Sequence, residues 1–278
     1  TLFFGGGTPS LLLPDQIAGI MEAVDAAFVM DADAEFTAEA NPNDLTLPYL
    51  KMLRAAGINR LSIGMQSAIE SELRLFDRRH DVASVADSVE AARRAGFDNL
   101  SLDLIYGVPG QTLESWRDSL DFALRLQPEH LSLYALSLEA GTPLRASVET
   151  GHVPAPDDDL AADMYELASE KLGAAGFGQY EISNWAKPGL QSRHNLQYWL
   201  NEPYLGFGPG AHGFAGGVRY SNVLSPQRYV QLLSAEGAGY DYPASPAVAE
   251  AVRVDQAQEI AETLIMGMRL IGRGIDRQ

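Results

Sequence analysis

Apolar and polar positions along the chain predict a regular succession of strands and helices. Apolar or alternating runs predict strands near residues 1–4, 35–40, 60–64, 99–105 and 130–136. Apolar residues at helical spacing predict helices over residues 14–30, 47–56, 70–76, 82–95 and 112–126. Strands that alternate with helices in this way pair in parallel through right-handed crossovers.

These five units predict an α/β fold with a parallel sheet. One more strand would give six units, a partial (β/α)6 parallel barrel that falls short of the eight units of a closed barrel. The chain opens inside an apparent strand and stops soon after a turn at Gly272-Arg-Gly274. We therefore expect a fragment that lacks sequence at both ends, with the sixth strand in the missing amino-terminal part.

The second half is predicted to add a helix over residues 157–175 and one alternating strand over residues 177–186. Helical patterns return over residues 225–236 and 247–271, and the two prolines near residues 240–246 indicate a connector. We expect residues 1–220 to form the barrel with an extension. Residues 221–278 would then begin a small, mostly helical carboxyl-terminal domain that is truncated.

Polar groups and glycines follow the predicted strands, at the edge where parallel barrels form their sites. The strand ends carry Gly5-Gly-Gly-Thr8, Glu39 with Asn41, Gln66, Asp103 with Tyr106, and Ala135 with Ser137. Carboxylates accept hydrogen bonds from an ammonium and from vicinal hydroxyls, and an amide both donates and accepts. Such a rim suits a ligand that has an ammonium and a ribose. Taken singly, Glu39 or Gln66 would be a solvated strand end, and Asp103 would cap the turn before Gly107.

The glycine run lets a ligand approach the main chain closely. No Lys-Ser or Lys-Thr pair follows it at Walker spacing, which counts against a phosphate loop.

Composition narrows the classes of partner. Twenty basic against 37 acidic residues give a net charge of −17, which argues against nucleic acid or an anionic membrane as the main partner. No run approaches the roughly 20 apolar residues of a membrane span, and no signal peptide is evident. We expect a cytoplasmic protein that is not integral to a membrane. The absence of cysteine excludes disulfides, thiol catalysis and a cysteine-ligated metal within these residues.

Five stretches together resemble the radical S-adenosylmethionine family of oxygen-independent coproporphyrinogen III dehydrogenases. They are Phe4-Gly-Gly-Gly-Thr-Pro-Ser10, Glu39-Ala-Asn-Pro42, Arg60-Leu-Ser-Ile-Gly-Met-Gln-Ser67, Asp77-Arg-Arg-His80 and Leu102-Asp-Leu-Ile-Tyr-Gly-Val-Pro-Gly110. The resemblance implies a six-unit partial barrel with adenosylmethionine on a [4Fe-4S] cluster at its mouth. It also implies that Gly6, Gly7 and Thr8 contact adenosylmethionine and that Glu39 and Gln66 bind its polar groups.

Four more residues take roles from this resemblance or compete for one. Asp103 would hold the ribose and Ala135 would line the adenine side. Arg78, twelve residues after Gln66, would pair with a carboxylate, which a guanidinium does well. Arg79 competes for that role, and spacing favours Arg78.

The chain departs from the family pattern at the cluster. The family holds it with three cysteines spaced C-x3-C-x2-C after the first strand, and this sequence has none. We expect these ligands in the missing amino-terminal part, so the chain as given would be inert in radical chemistry.

A histidine and two aromatic residues lie together in Arg193-His-Asn-Leu-Gln-Tyr-Trp199, upstream of a glycine-rich loop that ends at His212. Histidine ligates haem iron, and Tyr198 and Trp199 could pack on a porphyrin. From the residues alone, core anchors and an ordinary hydrogen-bonded histidine are favoured. The stretch resembles, however, the H-N-x-x-Y-W signature of the HemW branch, the haem chaperones of this family. That resemblance makes His194 the candidate haem-iron ligand, with His212 as its rival, and Arg193 and Arg219 could meet propionates.

Three functions follow. The first, favoured by the H-N-x-x-Y-W stretch, is a haem chaperone that binds haem, adenosylmethionine and, at full length, a [4Fe-4S] cluster, and hands haem to respiratory haem proteins. The second is a coproporphyrinogen III dehydrogenase that decarboxylates propionates by radical chemistry. The third, an α/β barrel for another nucleotide, lacks a Walker or Rossmann fingerprint.

Overall fold

The structure, a computed structural model, describes residues 1–235 and 241–272. In these ranges the strands are β1 (Leu2–Phe4), β2 (Phe36–Ala40), β3 (Arg60–Gln66), β4 (Leu100–Tyr106), β5 (His130–Ala135), β6 (Gly178–Glu181), β7 (Asn184–Ala186), β8 (His212–Ala215), β9 (Val218–Asn222) and β10 (Val248–Arg253). The helices are α1 (Pro14–Ala27), α2 (Leu47–Ala55), α3 (Glu70–Leu75), α4 (Val82–Arg94), α5 (Leu113–Arg125), α6 (Pro143–Glu149), α7 (Asp158–Ala174), α8 (Arg193–Trp199), α9 (Pro226–Leu233) and α10 (Gln256–Gly267).

The strands of the first half form a mostly parallel sheet, which confirms the predicted fold class. Its order is β1-β2-β3-β4-β5-β7-β6. The first five strands are parallel, in chain order, and helices connect them. β7 runs antiparallel to β5 and to β6.

The hairpin of β6 and β7 differs from the single strand predicted over residues 177–186. The carboxylate of Glu181 accepts hydrogen bonds from the Ser183 backbone and from the Asn184 side chain. These bonds close a turn in which the chain reverses, and a pattern of alternating residues does not reveal such a turn.

The chain divides into two compact units, Thr1–His194 and Asn195–Gln278. The second unit contains a three-stranded antiparallel sheet in the order β10-β9-β8, together with α9 and α10. The boundary expected between residues 220 and 221 falls inside β9. β9 pairs with both β8 and β10, so a boundary at this point would divide one sheet.

The carboxyl-terminal helix is shorter than expected. A helix was predicted over residues 247–271, but Val248–Arg253 pairs with β9 as β10 and the helix begins only at Gln256. The helical spacing of Ile260, Leu264 and Met268 belongs to α10 and its end and does not extend upstream. The connector predicted over residues 240–246 and the turn predicted at residues 272–274 lie partly outside the described residues.

The parallel strands have one apolar and one polar face. Every second side chain of β3, β4 and β5 packs under the helices and is buried, except for Ala135 at the end of β5; Leu61, Ile63, Leu102 and Leu133 are examples. Polar side chains at the intervening positions of these strands and of β2 form what we call the polar face, which consists of Thr37, Glu39, Arg60, Ser62, Ser101, Asp103, His130 and Ser132. Because successive side chains of a strand point to opposite faces, the alternating sequence specifies both faces at once.

Truncation of the apolar face should destabilise the first unit strongly. Leu102 is fully buried in the core cluster, so Leu102→Ala removes buried methyl groups and leaves a cavity. We expect the free energy of unfolding to fall by about 2–5 kcal/mol. The same change at Leu11, whose surface is 64% exposed, should cost no more than about 0.5 kcal/mol. Urea unfolding measures both, and equal losses would contradict this packing.

Candidate functional site

The glycine turn after β1 folds onto the end of β2. The backbone N–H of Gly6 donates to Oε2 of Glu39 at 3.0 Å. A side chain at Gly5 would meet the Phe3 ring at 2.4 Å, and Gly6 and Gly7 have φ of +76° and +64°. The turn therefore needs glycine twice over, for close approach at Gly5 and for left-handed backbone at the next two positions.

Glu39 is a half-buried carboxylate at this rim. Burial raises its pKa, the hydrogen bond from Gly6 opposes that shift, and the nearby charge of Asp103 adds to it. A cation placed between the two carboxylates would relieve their repulsion, as an ammonium does.

The carboxylate of Asp103 accepts hydrogen bonds from serines of the same sheet. The Ser62 hydroxyl donates to both of its carboxylate oxygens, at 3.0 and 2.8 Å, and the Ser101 hydroxyl donates to Oδ1 at 3.2 Å. Burial raises the pKa of Asp103, while the serine hydrogen bonds and the positive charge of Arg60 lower it. The side chain is thus oriented before any ligand binds.

Gln66 ends β3 in an unusual conformation. Its φ is +64°, a left-handed value that a non-glycine residue rarely adopts, and the pairing with β4 shifts register between Ile63 and Gln66. On one side of it, the His80 ring hydrogen-bonds the Met65 carbonyl at 3.1 Å.

A buried network fixes the other side of this turn. The Ser67 hydroxyl donates to Glu72 at 2.6 Å, and Glu72 also accepts from Gln111 at 3.0 Å and from Ser115 at 3.0 Å. Glu72 went unnoticed in the sequence, where a glutamate in the first turn of a helix indicates an ordinary surface charge.

Arg78 and Arg79 differ in their surroundings. Arg78 is half-buried and its Nη1 donates to Oδ1 of Asn41 at 3.4 Å, so it reaches the end of β2. Burial lowers the pKa of Arg78. Arg79 is exposed.

Thr8 and Ala135 complete the predicted rim. Thr8 is half-buried in the glycine turn, and its carbonyl accepts from Leu11 at 3.1 Å. Ala135 is exposed at the end of β5. The structure therefore places these predicted residues at the carboxyl ends of β1, β2, β3 and β5 or on the loops that follow the strands, except that Asp103 lies in the middle of β4.

His194 does not belong to this rim, because its backbone lies at the opposite end of β2. The carboxylate of Glu35, just before β2, accepts from the backbone N–H groups of Arg193 at 3.0 Å and His194 at 3.1 Å. The imidazole stacks on Phe3 with ring centres 4.8 Å apart, and its Nδ1 hydrogen-bonds the Thr1 hydroxyl at 3.0 Å. Burial lowers the pKa of His194 to about 4.

The other residues considered for haem have different surroundings. His212 is exposed at the start of β8. Arg219 bonds Glu262 and Asn201, each at 2.7 Å, and lies over the Phe214 ring. Arg193 pairs with Asp33.

The two aromatic residues of the same stretch pack in the second unit. Tyr198 meets Tyr204 edge to face, with ring centres 4.7 Å apart. Arg269 lies 4.2 Å over the ring of Trp199. These rings make the packing contacts expected of core anchors.

Among residues 1–235 and 241–272, no group of three or more histidine, cysteine, aspartate or glutamate side chains is arranged to hold a metal ion. Within the same ranges, no helix combines the length and the apolar character needed to cross a membrane.

Comparison with known proteins points to one family. Residues 1–123 match the radical SAM superfamily. The heme chaperone HemW of Bacillus subtilis is 41% identical over 270 residues, which are 97% of this chain and 69% of that protein. HemW of Mycobacterium tuberculosis H37Rv is 43% identical over 84% of this chain and 60% of its own length. This chain thus spans between three fifths and seven tenths of these relatives.

A solved structure shares the fold over nearly the whole chain. It is the coproporphyrinogen III oxidase HemN of Escherichia coli, described as a radical SAM enzyme. The TM-score is 0.81 at 26% identity, covering 96% of this chain and 62% of that one.

Binding of an ammonium-bearing ligand such as adenosylmethionine should depend on pH through Glu39. Glu39 must lose its proton to hold an ammonium, so we expect affinity to fall as pH drops through its raised pKa, above the usual glutamate range. In Glu39→Gln, affinity should be lower at neutral pH. The remaining fall should move to lower pH, because Asp103 no longer faces a second negative charge. Calorimetric titration from pH 4.5 to 8 measures this.

The matched control is Glu114→Gln, a change at an exposed glutamate, which should leave the profile unaltered. The same profile in Glu39→Gln as in the wild type would show that Glu39 does not hold the ligand.

Proposed function

The chain belongs to the HemW haem chaperone family of the radical SAM superfamily, and from that premise we propose that it is a haem chaperone that binds haem and adenosylmethionine. The membership confirms the resemblance found in the sequence. The haem proposal is carried by one observation: the first residue of the H-N-x-x-Y-W stretch, His194, has a half-buried imidazole.

The rim fits adenosylmethionine by its donor set. Glu39 and Asp103 offer carboxylates to the ammonium and to the ribose hydroxyls. Gln66 adds an amide, and the glycine turn offers exposed backbone at Gly6 and Gly7. Arg78 is the cation for the methionine carboxylate, since it lies half-buried beside Asn41 while Arg79 is exposed. Ala135 and Thr8 would line the remaining edge.

The [4Fe-4S] cluster of radical SAM proteins would take its ligands from outside these residues, because the 278 residues contain no cysteine. When bound, such a cluster supplies the electron for radical chemistry. The residues of this chain would bind adenosylmethionine, orient it and balance its charges.

The imidazole of His194 is suited to an iron. A metal binds the neutral form, and a pKa lowered to about 4 keeps the ring neutral at physiological pH. The Thr1 hydroxyl hydrogen-bonds Nδ1 of this ring. The protein's partners would be haem-accepting respiratory proteins, and it would act in the cytoplasm.

The second candidate function is radical decarboxylation of coproporphyrinogen III. The observation that favours it is the similarity to the HemN structure over 96% of the chain. The two functions share the adenosylmethionine rim and differ in whether the porphyrin is cargo or substrate.

Loss of the charge at Arg78 should weaken adenosylmethionine binding. A charge-assisted hydrogen bond contributes about 1.5–3 kcal/mol, so Arg78→Gln should raise the dissociation constant about 10- to 100-fold. Arg79→Gln is the matched control and should leave it within about twofold. Calorimetry measures both, and the reverse order would assign the carboxylate to Arg79.

Haem binding should depend on His194. Titration of the protein with haem, followed by absorbance, should show a shifted Soret band, and His194→Ala should lose that shift or weaken binding at least about tenfold. His212→Ala is the control and should bind as the wild type does. Circular dichroism of each variant checks the fold.

Three results would change the assignment. Loss of binding in His212→Ala alone would move the iron ligand to His212. Equal binding in all three proteins would remove histidine ligation by either residue. Decarboxylation of coproporphyrinogen III by a longer form of the protein that carries the cluster ligands, without haem binding, would replace the chaperone function by the dehydrogenase function.

A further inference from the structure

A series of hydrogen bonds leads across the sheet to the carboxylate of Asp103. Oδ1 of Asp103 accepts from the Ser101 hydroxyl at 3.2 Å. Ser101 Oγ lies 2.8 Å from Nδ1 of His130, and Nε2 of His130 lies 2.8 Å from the Tyr180 hydroxyl. That hydroxyl accepts from the backbone N–H of Ser192 at 3.3 Å.

The end groups give this series one direction. The Ser192 N–H can only donate and an ionised Asp103 can only accept. The arrangement in which every donor has an acceptor has Tyr180 donating to Nε2 of His130, Nδ1 donating to Ser101, and Ser101 donating to Asp103. It requires a neutral imidazole with its proton on Nδ1. Hydrogen bonds aligned in this way polarise and strengthen one another.

The surroundings of His130 suit a neutral ring. The residue has no exposed surface, and its pKa is far below the ordinary value because of burial and the positive charge of Arg60. A buried neutral histidine with both nitrogens hydrogen-bonded is rigid, so it can set the rotamer of the serine hydroxyl beside it.

We propose that His130 is a positioning residue for the ribose of adenosylmethionine: it aims the Ser101 hydroxyl at Asp103 and thereby fixes the carboxylate that holds the ribose hydroxyls. The inference rests on the proposed role of Asp103. Without the Nδ1 donor, the Ser101 hydroxyl turns to other acceptors and Asp103 loses one of the bonds that orient it. Only Ser62 and Ser132 then hold a carboxylate that must meet two hydroxyls in a fixed geometry.

Two substitutions test the two hydrogen bonds of the His130 ring one at a time. The amide nitrogen of asparagine occupies about the position of Nδ1, so His130→Asn keeps a donor to Ser101 and loses the bond to Tyr180. The amide of glutamine reaches the position of Nε2, so His130→Gln keeps Tyr180 and loses Ser101. Each variant keeps one of the two bonds, and the two should therefore have similar melting temperatures.

The experiment is calorimetric titration of the whole protein with adenosylmethionine and with an analogue that lacks both ribose hydroxyls. We expect His130→Gln to weaken adenosylmethionine binding about tenfold, the loss of one net hydrogen bond of about 1.4 kcal/mol. His130→Asn should stay within about threefold of the wild type. With the analogue, both variants should bind as the wild type does.

A parallel titration of Asp103→Asn separates this inference from the proposed function. Unchanged affinity in Asp103→Asn would remove the ribose role of Asp103 and, with it, the inference. A loss in Asp103→Asn without a loss in His130→Gln would overturn the inference alone. Equal losses in both His130 variants, or losses that persist with the analogue, would show that His130 only supports the fold.

A spectroscopic readout tests the direction of the series. Nitrogen-15 NMR of the histidine ring should show the proton of His130 on Nδ1 at neutral pH. A proton on Nε2 would reverse the series and overturn the positioning role.

Discussion

The first unit depends on a sheet whose two faces bury opposite kinds of side chain. Parallel sheets are covered on both faces, and their strands are usually apolar throughout. Here β3, β4 and β5 instead alternate, with leucine and isoleucine under the helices and serine, arginine, aspartate or histidine on the polar face. Burial of the apolar face stabilises the fold and offsets the free-energy cost of burying the polar face.

Burial of the polar face is costly unless its groups find partners. The serines provide many of these partners. Ser62 and Ser101 donate hydrogen bonds to Asp103, and Ser101 is also hydrogen-bonded to His130. Arg60, only 2% exposed, is different, because its Nε has no hydrogen-bond partner among the described residues. Its charge acts over a longer distance and favours the ionised form of Asp103 and the neutral form of His130.

Two glutamates near opposite ends of β2 contact different parts of the first unit. Glu35, which holds the backbone of His194, and Glu39, which meets the glycine turn, lie four residues apart, or about 13 Å at roughly 3.3 Å per residue. Phe3 lies between them: its ring stacks on His194 and leaves room only for glycine at position 5. The candidate haem ligand and the glycine turn of the rim are therefore linked through the ring of Phe3.

The sequence by itself determined the five strand–helix units, the order of the rim residues and the family, because alternation, helical spacing and short motifs are local properties. Only the tertiary structure decided the left-handed turn at Gln66, since the glutamate that braces it accepts bonds from Gln111 and Ser115 on distant segments. It also decided where His194 lies, because Glu35 is 159 positions away. The β6–β7 hairpin and β10 likewise depend on pairing with strands elsewhere in the chain. Contacts of this kind form when distant segments pack together, and no periodicity within a single segment records them.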